Sequence, residues 1–544
     1  MKTKYHHTVL YYPTGIVHFR NLELLKKSLP GFRFIVIVEP WVKESAPETL
    51  NYIEAENLII VQDGRLPAEI WEHPIDILFL CMAYPNLFRL HLVYEAVKRN
   101  IPVVSIEEVN QLALNDGIIN HYFLPLDYLG VPSAVEKEKF AELGIPSKSI
   151  TVTGWPFFNK AAAVKKDRDL DLRAQYKIPQ DWKICLLILG SLKEYDMVSL
   201  ETRRIRQEIL EIISMGLADY YRLFIKPHPI ESEETIKEIQ AKLPTAILVN
   251  PKFPIETLLS QADVIVNRGN SQVALLALTL NKPLIILPVK LKTIFHNLMD
   301  SIIADNAQQF RRVLGEYSWG KTLDYKKALA YHFPLTQEEA VRKVQNLFTQ
   351  ALEKRIPDIV TKKICIAVLY AFLRDIPKAR EIIHEHPGYG PVPLLEKLFN
   401  HTITPEEFKT LKNALPGKIS QWHLQALYIR MLIKCKDTRC IIRSVPFLEG
   451  FDGDVNPHYF IDEIIDRIEL EYIAGREFQA KKLLDKFRED YSVFDYYKQA
   501  FDMLVYVYNR VPKGGSARKA LWLLKNITKP YTRKWIKDKL TKKR

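Results

Sequence analysis

From the amino terminus to about residue 290, short runs of consecutive apolar residues alternate with stretches in which apolar residues recur every three or four places. A continuous apolar run bounded by turn residues predicts a strand buried on both faces, and the wider spacing predicts an amphipathic helix. Strands are expected at Thr8–Tyr12, Phe32–Val38, Leu58–Val61, Ile77–Leu80, Val103–Ile106 and Ile150–Thr153, with helices such as Leu22–Ser28 and Leu90–Arg99 between them. Gly154-Trp155-Pro156 breaks the pattern and predicts a hinge. A second alternation follows at Ile184–Leu189, Arg222–Ile225, Ala246–Val249, Val264–Val266 and Leu284–Leu287. Strands alternating with helices build parallel sheets covered on both faces. The pattern therefore predicts two doubly wound α/β domains, residues 1–160 and 161–355, enclosing a cleft.

Past about Val360 the strand signal ends and helical periodicity takes over, which predicts an all-α domain over 356–509. Leu369–Ile383 and Leu470–Leu484 look alike, with Ala379 and Ala480 as the small residues where paired helices would cross. Leu427–Ile442 reads as a third hairpin. The segments resemble degenerate tetratricopeptide hairpins, although the repeat of about 34 residues is not visible between them. Such hairpins would offer a surface to a protein partner.

Charge alters the picture only at the carboxyl end. The net charge is +13, and Arg510–Arg544 holds 13 Lys and Arg against the single acid Asp538. The body is nearly neutral, so the basic character implies no nucleic acid partner for it. In the tail, Arg518-Lys519-Ala520-Leu521-Trp522-Leu523-Leu524-Lys525 and Arg533-Lys534-Trp535-Ile536-Lys537 interleave bases with Trp, Leu and Ile around Pro530. That composition suits attachment of residues 510–544 to an anionic membrane surface. No apolar run approaches the ~18 residues of a membrane span, and the basic start lacks a secretory core. Five scattered cysteines without CxxC spacing argue for a reducing compartment and against a zinc site. The expected location is cytoplasmic, peripherally associated with the inner face of the cell membrane.

The chemistry concentrates in three loops of the second half, all at the carboxyl edge where open α/β sheets bind ligands. The strand at Leu223-Phe224-Ile225 ends in Lys226-Pro227-His228-Pro229, where two prolines hold a cation and an imidazole in a rigid loop. Lys226 supplies a point charge and His228 a directed N–H, a combination that grips phosphate. Gly190-Ser191 follows Ile184–Leu189 and lets backbone N–H groups approach an anion. Asn267-Arg268-Gly269-Asn270-Ser271-Gln272 precedes a helix beginning near Val273, whose positive dipole end faces the same edge. No GxGxxG is present.

Together these residues resemble the nucleotide-binding half of GT-B transferases. The likeness is nearest to the CDP-glycerol glycerophosphotransferase, polysialyltransferase and capsule Kdo-transferase kind, marked by a Lys-Pro-His-Pro loop and a later Ser loop. It implies that Lys226, His228 and Ser271 contact the phosphates of a CMP- or CDP-linked donor, with Gly190, Ser191, Arg268, Asn270 and Gln272 completing the donor site. Val152-Thr153-Gly154-Trp155-Pro156-Phe157-Phe158-Asn159 is similar to the interdomain segment of GT-B proteins and sugar-nucleotide 2-epimerases, as is Asp263 through Asn281-Lys282-Pro283. One departure stands out. Relatives carry an acid on the first turn of the helix after the Ser loop, where this chain has Leu276.

The first half should supply the acceptor side and a general base. Glu107 and Glu108 follow Val103–Ile106, and adjacent carboxylates raise one another's pKa toward the range of a base. Capsule Kdo transferases carry a comparable acidic pair. His18, in the loop Gly15-Ile16-Val17-His18, is the second candidate; His121 reads as structural. The expected protein is a metal-independent GT-B transferase with no cofactor, taking a nucleotide-sugar donor as substrate and building a cell-surface glycan on a glycan or lipid-linked acceptor. A UDP-sugar transferase or epimerase on the same fold is the second reading, and the missing Arg-Pro-Glu signature counts against the epimerase. An inert scaffold with helical hairpins is the third, kept open by Leu276.

Overall fold

The computed structural model describes residues 5–13, 16–40, 42, 50–51, 53–54, 57–61, 67–81, 87–107, 125–156, 171–189, 199–228, 231, 233–250, 253, 255–267, 272–287, 299, 302–318, 324–353, 358–415, 417–434, 437–448, 451 and 457–491. Among these residues twelve strands form two sheets, and every pairing between them is parallel. The first holds β1 (His7–Tyr12), β2 (Phe32–Val38), β3 (Leu58–Ile60), β4 (Ile77–Cys81), β5 (Val103–Ile106), β6 (Tyr128–Val131) and β7 (Ile150–Val152), ordered β3-β2-β1-β4-β5-β6-β7. The second holds β8 (Lys183–Ile188), β9 (Tyr221–Lys226), β10 (Ile247–Leu248), β11 (Val264–Asn267) and β12 (Leu284–Ile286), ordered β10-β9-β8-β11-β12. Each order reverses once, between β1 and β4 and between β8 and β11. Two doubly wound domains result, as the alternation of apolar runs implied.

Every expected strand is present within a residue or two, and one strand is additional. β6 reads poorly in sequence because Gly130 lies in its middle. The glycine is there for packing: a Cβ on it would meet Thr153 Cγ2 at 2.9 Å and Ile106 Cγ1 at 3.1 Å. A glycine inside a strand thus marks close approach rather than a break.

The helices that matter for function are α1 (Ile16–Ser28), α2 (Leu87–Lys98), α3 (Ala134–Glu142), α4 (Ser199–Gly216), α5 (Gln272–Thr279) and α6 (Gln337–Glu353). One face of the first sheet is covered by α1 and α6, with Phe348 of α6 edge-on to Phe79 of β4 at 5.3 Å. The α6 helix lies late in the chain yet packs on the first sheet, so the chain crosses between the domains twice. The two crossings are clasped: Trp155 stacks on Phe333 at 5.1 Å, and Gln337 Nε2 donates to the Pro156 carbonyl at 2.7 Å. Gly154 between them has φ +65, and a Cβ there would meet Leu335 at 3.1 Å, so the hinge needs glycine on both counts.

The other face of the first sheet carries α2, and α2 is buried nearly all round: Leu90, Leu92, Val93, Tyr94, Ala96 and Val97 have no exposed surface. Its outer side is covered by the helical region, which begins with α7 (Ile359–Phe372) and α8 (Ile376–His384). Tyr370 of α7 bonds His91 Nδ1 at 3.0 Å, Tyr94 donates to Glu385 at 2.7 Å, and Lys362 pairs with Asp127. One apolar core runs from Leu78 and Val103 of the sheet through α2 and into the hairpins. Further hairpins follow, α9 (Lys418–Lys434) with α10 (Thr438–Ser444) and α11 (Pro457–Ile473) with α12 (Glu477–Tyr491). Ala379 and Ala480 are fully buried, as expected of helix crossings. Among the described residues no helix is long and apolar enough to cross a membrane. The tail, 510–544, lies outside the described residues.

Candidate active site

The register of the second sheet sets Lys226 opposite Ile188, Ile188 opposite Asn267, and Asn267 opposite Ile286, one row along the carboxyl edge. The pairing continues one residue further, with Leu189 N donating to Lys226 O at 3.2 Å and Leu287 N to Asn267 O at 2.9 Å. The order reversal between β8 and β11 makes the crevice there the topological switch point, where ligands of open α/β sheets bind. Asn267 spans it, its Nδ2 donating to the Ile188 carbonyl at 3.4 Å. Sequence reasoning counted Asn267 as loop; it is the last residue of β11 and 3 % exposed.

The Lys-Pro-His-Pro segment begins in that row. Lys226 is the last residue of β9 and 5 % exposed, whereas His228 is half-buried and the more accessible of the two. The loop is braced from behind. The Glu231 N–H donates to the His228 carbonyl at 3.0 Å, and the Glu231 carboxylate accepts from Arg206 of α4 at 2.7 Å. Both side chains of that ion pair are buried. The α5 helix follows β11 directly, so its amino-terminal end lies at the same edge. Gln272 is its first residue. Leu276 packs half-buried against the core of this domain. Gly190, Ser191, Arg268, Asn270, Ser271 and the side chain of Gln272 lie outside the described residues.

The flanks of this site, Asp263 and Lys282, are scaffolding. Asp263 accepts from Ile184 N at 2.7 Å and from Arg173 at 2.9 Å, which ties the start of β8 to the edge of β11. Lys282 donates to the carbonyls of Ser260 and Ala262 at 2.7 and 2.9 Å, closing the helix end before β11.

In the first sheet the switch point lies between β1 and β4. Glu107 is one strand removed: it follows β5, its N–H donates to Gly130 O at 2.8 Å, and it is 3 % exposed. His18 corrects an expectation. It is not in a surface loop but in the first turns of α1, directly after β1 at the switch point, and only 4 % exposed. The helix starts earlier than Leu22 because Phe19, Leu22 and Leu25 form one apolar stripe on the sheet. The Tyr11 hydroxyl donates to the His18 carbonyl at 2.8 Å and fixes that turn. Glu108 and His121 lie outside the described residues.

Two residues at this switch point were missed. Arg89, in the first turn of α2 after β4, places its guanidinium 5.5 Å from the centre of the Tyr12 ring, the last residue of β1. The Tyr12 hydroxyl in turn donates to Glu39, just past β2. A lone arginine in the otherwise apolar start Leu87-Phe88-Arg89-Leu90 was the available signal.

Two all-parallel sheets, each reversing order once and joined by a double crossing, form the GT-B architecture. A family model described as alpha-2,8-polysialyltransferase matches residues 84–266, from just before α2 to β11. Solved structures similar to this chain include the S. aureus protein MnaA with UDP (14 % identity, TM-score 0.47, covering 64 % of this chain and 99 % of that one). The UDP-GlcNAc 2-epimerase of Methanocaldococcus jannaschii is another (15 %, 0.44, 63 % and 99 %). The wall teichoic acid polymerase TagF is a third (14 %, 0.36, 68 % and 89 %). No curated protein sequence matches the chain. The fold assignment stands on strand order and register.

Proposed function

We propose that this protein moves a glycosyl or glycerophosphate-like group from a CMP- or CDP-activated donor to a cell-surface glycan or a lipid-linked acceptor. The observation that carries the reading is the row Lys226, Ile188, Asn267 at the second switch point, with His228 held just beyond it by a buried brace. A nucleotide leaving group departs with extra charge on its phosphate. Fixed donors and a helix end at a sheet edge stabilise that charge without reorganising. His228 would donate to the leaving phosphate, and the α5 end would face it, so transfer is proposed to proceed without a metal. The polysialyltransferase match favours a cytidine-activated donor over a uridine-activated one.

On the first sheet, the acceptor hydroxyl would lose its proton to a base at the carboxyl edge. Glu107 and His18 are the two described candidates, and Arg89 with Tyr12 would shape the acceptor end. The basic tail would hold the enzyme on an anionic membrane surface, where a lipid-linked acceptor would be found.

Thermal melts of the full-length protein with CMP, CDP, UDP and GDP test the donor class. A ligand that binds only the folded state stabilises it by about 2.7 kcal/mol at a hundred times its Kd. CMP or CDP should raise the Tm most. A larger shift with UDP overturns the cytidine assignment, and no shift with any of the four overturns the enzyme reading.

A further inference from the structure

Away from both switch points, a cavity of about 510 Å³ runs along the free edge of β7. Its cationic rim comes from three separate elements: Lys137 of α3, Lys148 in the short turn before β7, and Lys343 of α6. Among the described residues no Asp or Glu lines it. Among the described residues none of the three lysines makes a salt bridge, although neighbouring lysines such as Lys139 do. The acid facing Lys343, Glu339 one turn earlier on α6, is engaged by the Thr336 N–H at 2.8 Å. Thr151 and Gln350 add neutral hydrogen-bonding groups to the same wall. Three like charges gathered around one concave site repel one another, which a multiply charged anion relieves.

The position gives such an anion a consequence. Leu335, which belongs to the return crossing between the domains, also lines the cavity. The same Leu335 side chain is the one that lies against Gly154 of the outgoing crossing. A ligand seated there touches the first domain on α3 and β7 and the hinge on Leu335.

We infer that this cavity is an anion site for a ligand carrying two or more linked phosphates, separate from the donor site, and that its occupancy restrains the hinge. Lysine ammonium groups bind phosphate as point charges and need no planar fork, which fits a site built from three lysines and no arginine. The linked phosphates have two sources, free inorganic pyrophosphate or tripolyphosphate and the phosphate chain of a nucleotide. The inference does not depend on which donor the transferase site takes.

The test is hydrogen exchange on the full-length protein with 1 mM inorganic tripolyphosphate, and separately with 1 mM ATP, at low and at high salt. Wild type should gain protection over 147–152 and 335–350 with tripolyphosphate at low salt. The three exposed or half-exposed lysines should be replaced together, Lys137→Gln, Lys148→Gln and Lys343→Gln, beside a control with Lys237→Gln and Lys327→Gln. Titrated by the same readout, the triple variant should bind about tenfold more weakly or worse, and the control should match wild type. Protection by ATP that exceeds tripolyphosphate and vanishes in the triple variant identifies the nucleotide source; equal protection identifies the phosphates alone. Protection confined to segments outside 147–152 and 335–350, or unchanged in the triple variant, overturns the site.

Discussion

Arg206 donates to the Glu231 carboxylate at 2.7 Å, in an ion pair whose side chains are 7 % and 2 % exposed. The pair lies behind the Lys-Pro-His-Pro loop, and Glu231 also donates its backbone N–H to the His228 carbonyl. Removing one partner leaves a buried charge uncompensated, which costs about 3–5 kcal/mol. Arg206→Met should therefore lower the Tm markedly. Glu231→Gln keeps a hydrogen-bonding group and should cost less, while loosening His228. His228→Ala should leave the Tm near wild type and lose at least about 1.5–3 kcal/mol of transition-state stabilisation. Wild-type turnover by purified His228→Ala removes this residue from the donor site.

The base can be assigned by two substitutions. Glu107→Gln preserves shape at the end of β5, and His18→Gln preserves the polar group in α1. The residue that serves the acceptor should lower turnover by about 10²–10⁴ when replaced while nucleotide binding holds. Glu107 is the expected one. Full activity in Glu107→Gln together with loss in His18→Gln would assign the role to the first-sheet switch point instead.

The docking of the helical region on α2 should weaken in acid. Burial, with help from Lys378, holds the His91 pKa below its usual 6.5, and the ring bonds Tyr370 across the interface. The unfolded chain therefore binds a proton that the folded one resists. Its contribution is intact above about pH 6.5 and is lost as the pH falls below that through the lowered folded value. At the same interface Glu385 has a lowered pKa. Burial would raise it, but hydrogen bonds from Lys363 and Tyr94 outweigh that, so its contribution fades below pH 4.5. Melting wild type and His91→Gln between pH 7.5 and 5 checks this. The variant should show the shallower loss, and parallel curves would exclude His91 as the cause.

Residues 510–544 should bind full-length protein to anionic vesicles, with about 1 kcal/mol from each Lys or Arg near the surface. Co-sedimentation should fall with salt and with the fraction of acidic lipid. A chain ending at Asn509 that sediments as well as the full one would take the tail out of the mechanism.

Sequence alone determined the two parallel sheets, because strands buried on both faces must be continuous apolar runs and their helices must cross over. It also placed Lys226 and His228 at a sheet edge, because prolines on both sides of His228 end a strand wherever they occur. What it could not determine depends on partners far along the chain. The strand around Gly130 was not expected, and the need for glycine there shows only once Thr153 and Ile106 lie against it. His18 read as loop because the stripe through Phe19 and Leu22 becomes informative only once a sheet lies beneath it. Leu90–Arg99 read as an ordinary amphipathic helix, and only tertiary packing showed that the helical region, some 270 residues later, covers its outer side. Strand order decided the rest. The switch points between β1 and β4 and between β8 and β11 arise from how the strands are arranged side by side, which local apolar periodicity does not encode, and those crevices bring Arg89 to Tyr12 and Asn267 to Ile188.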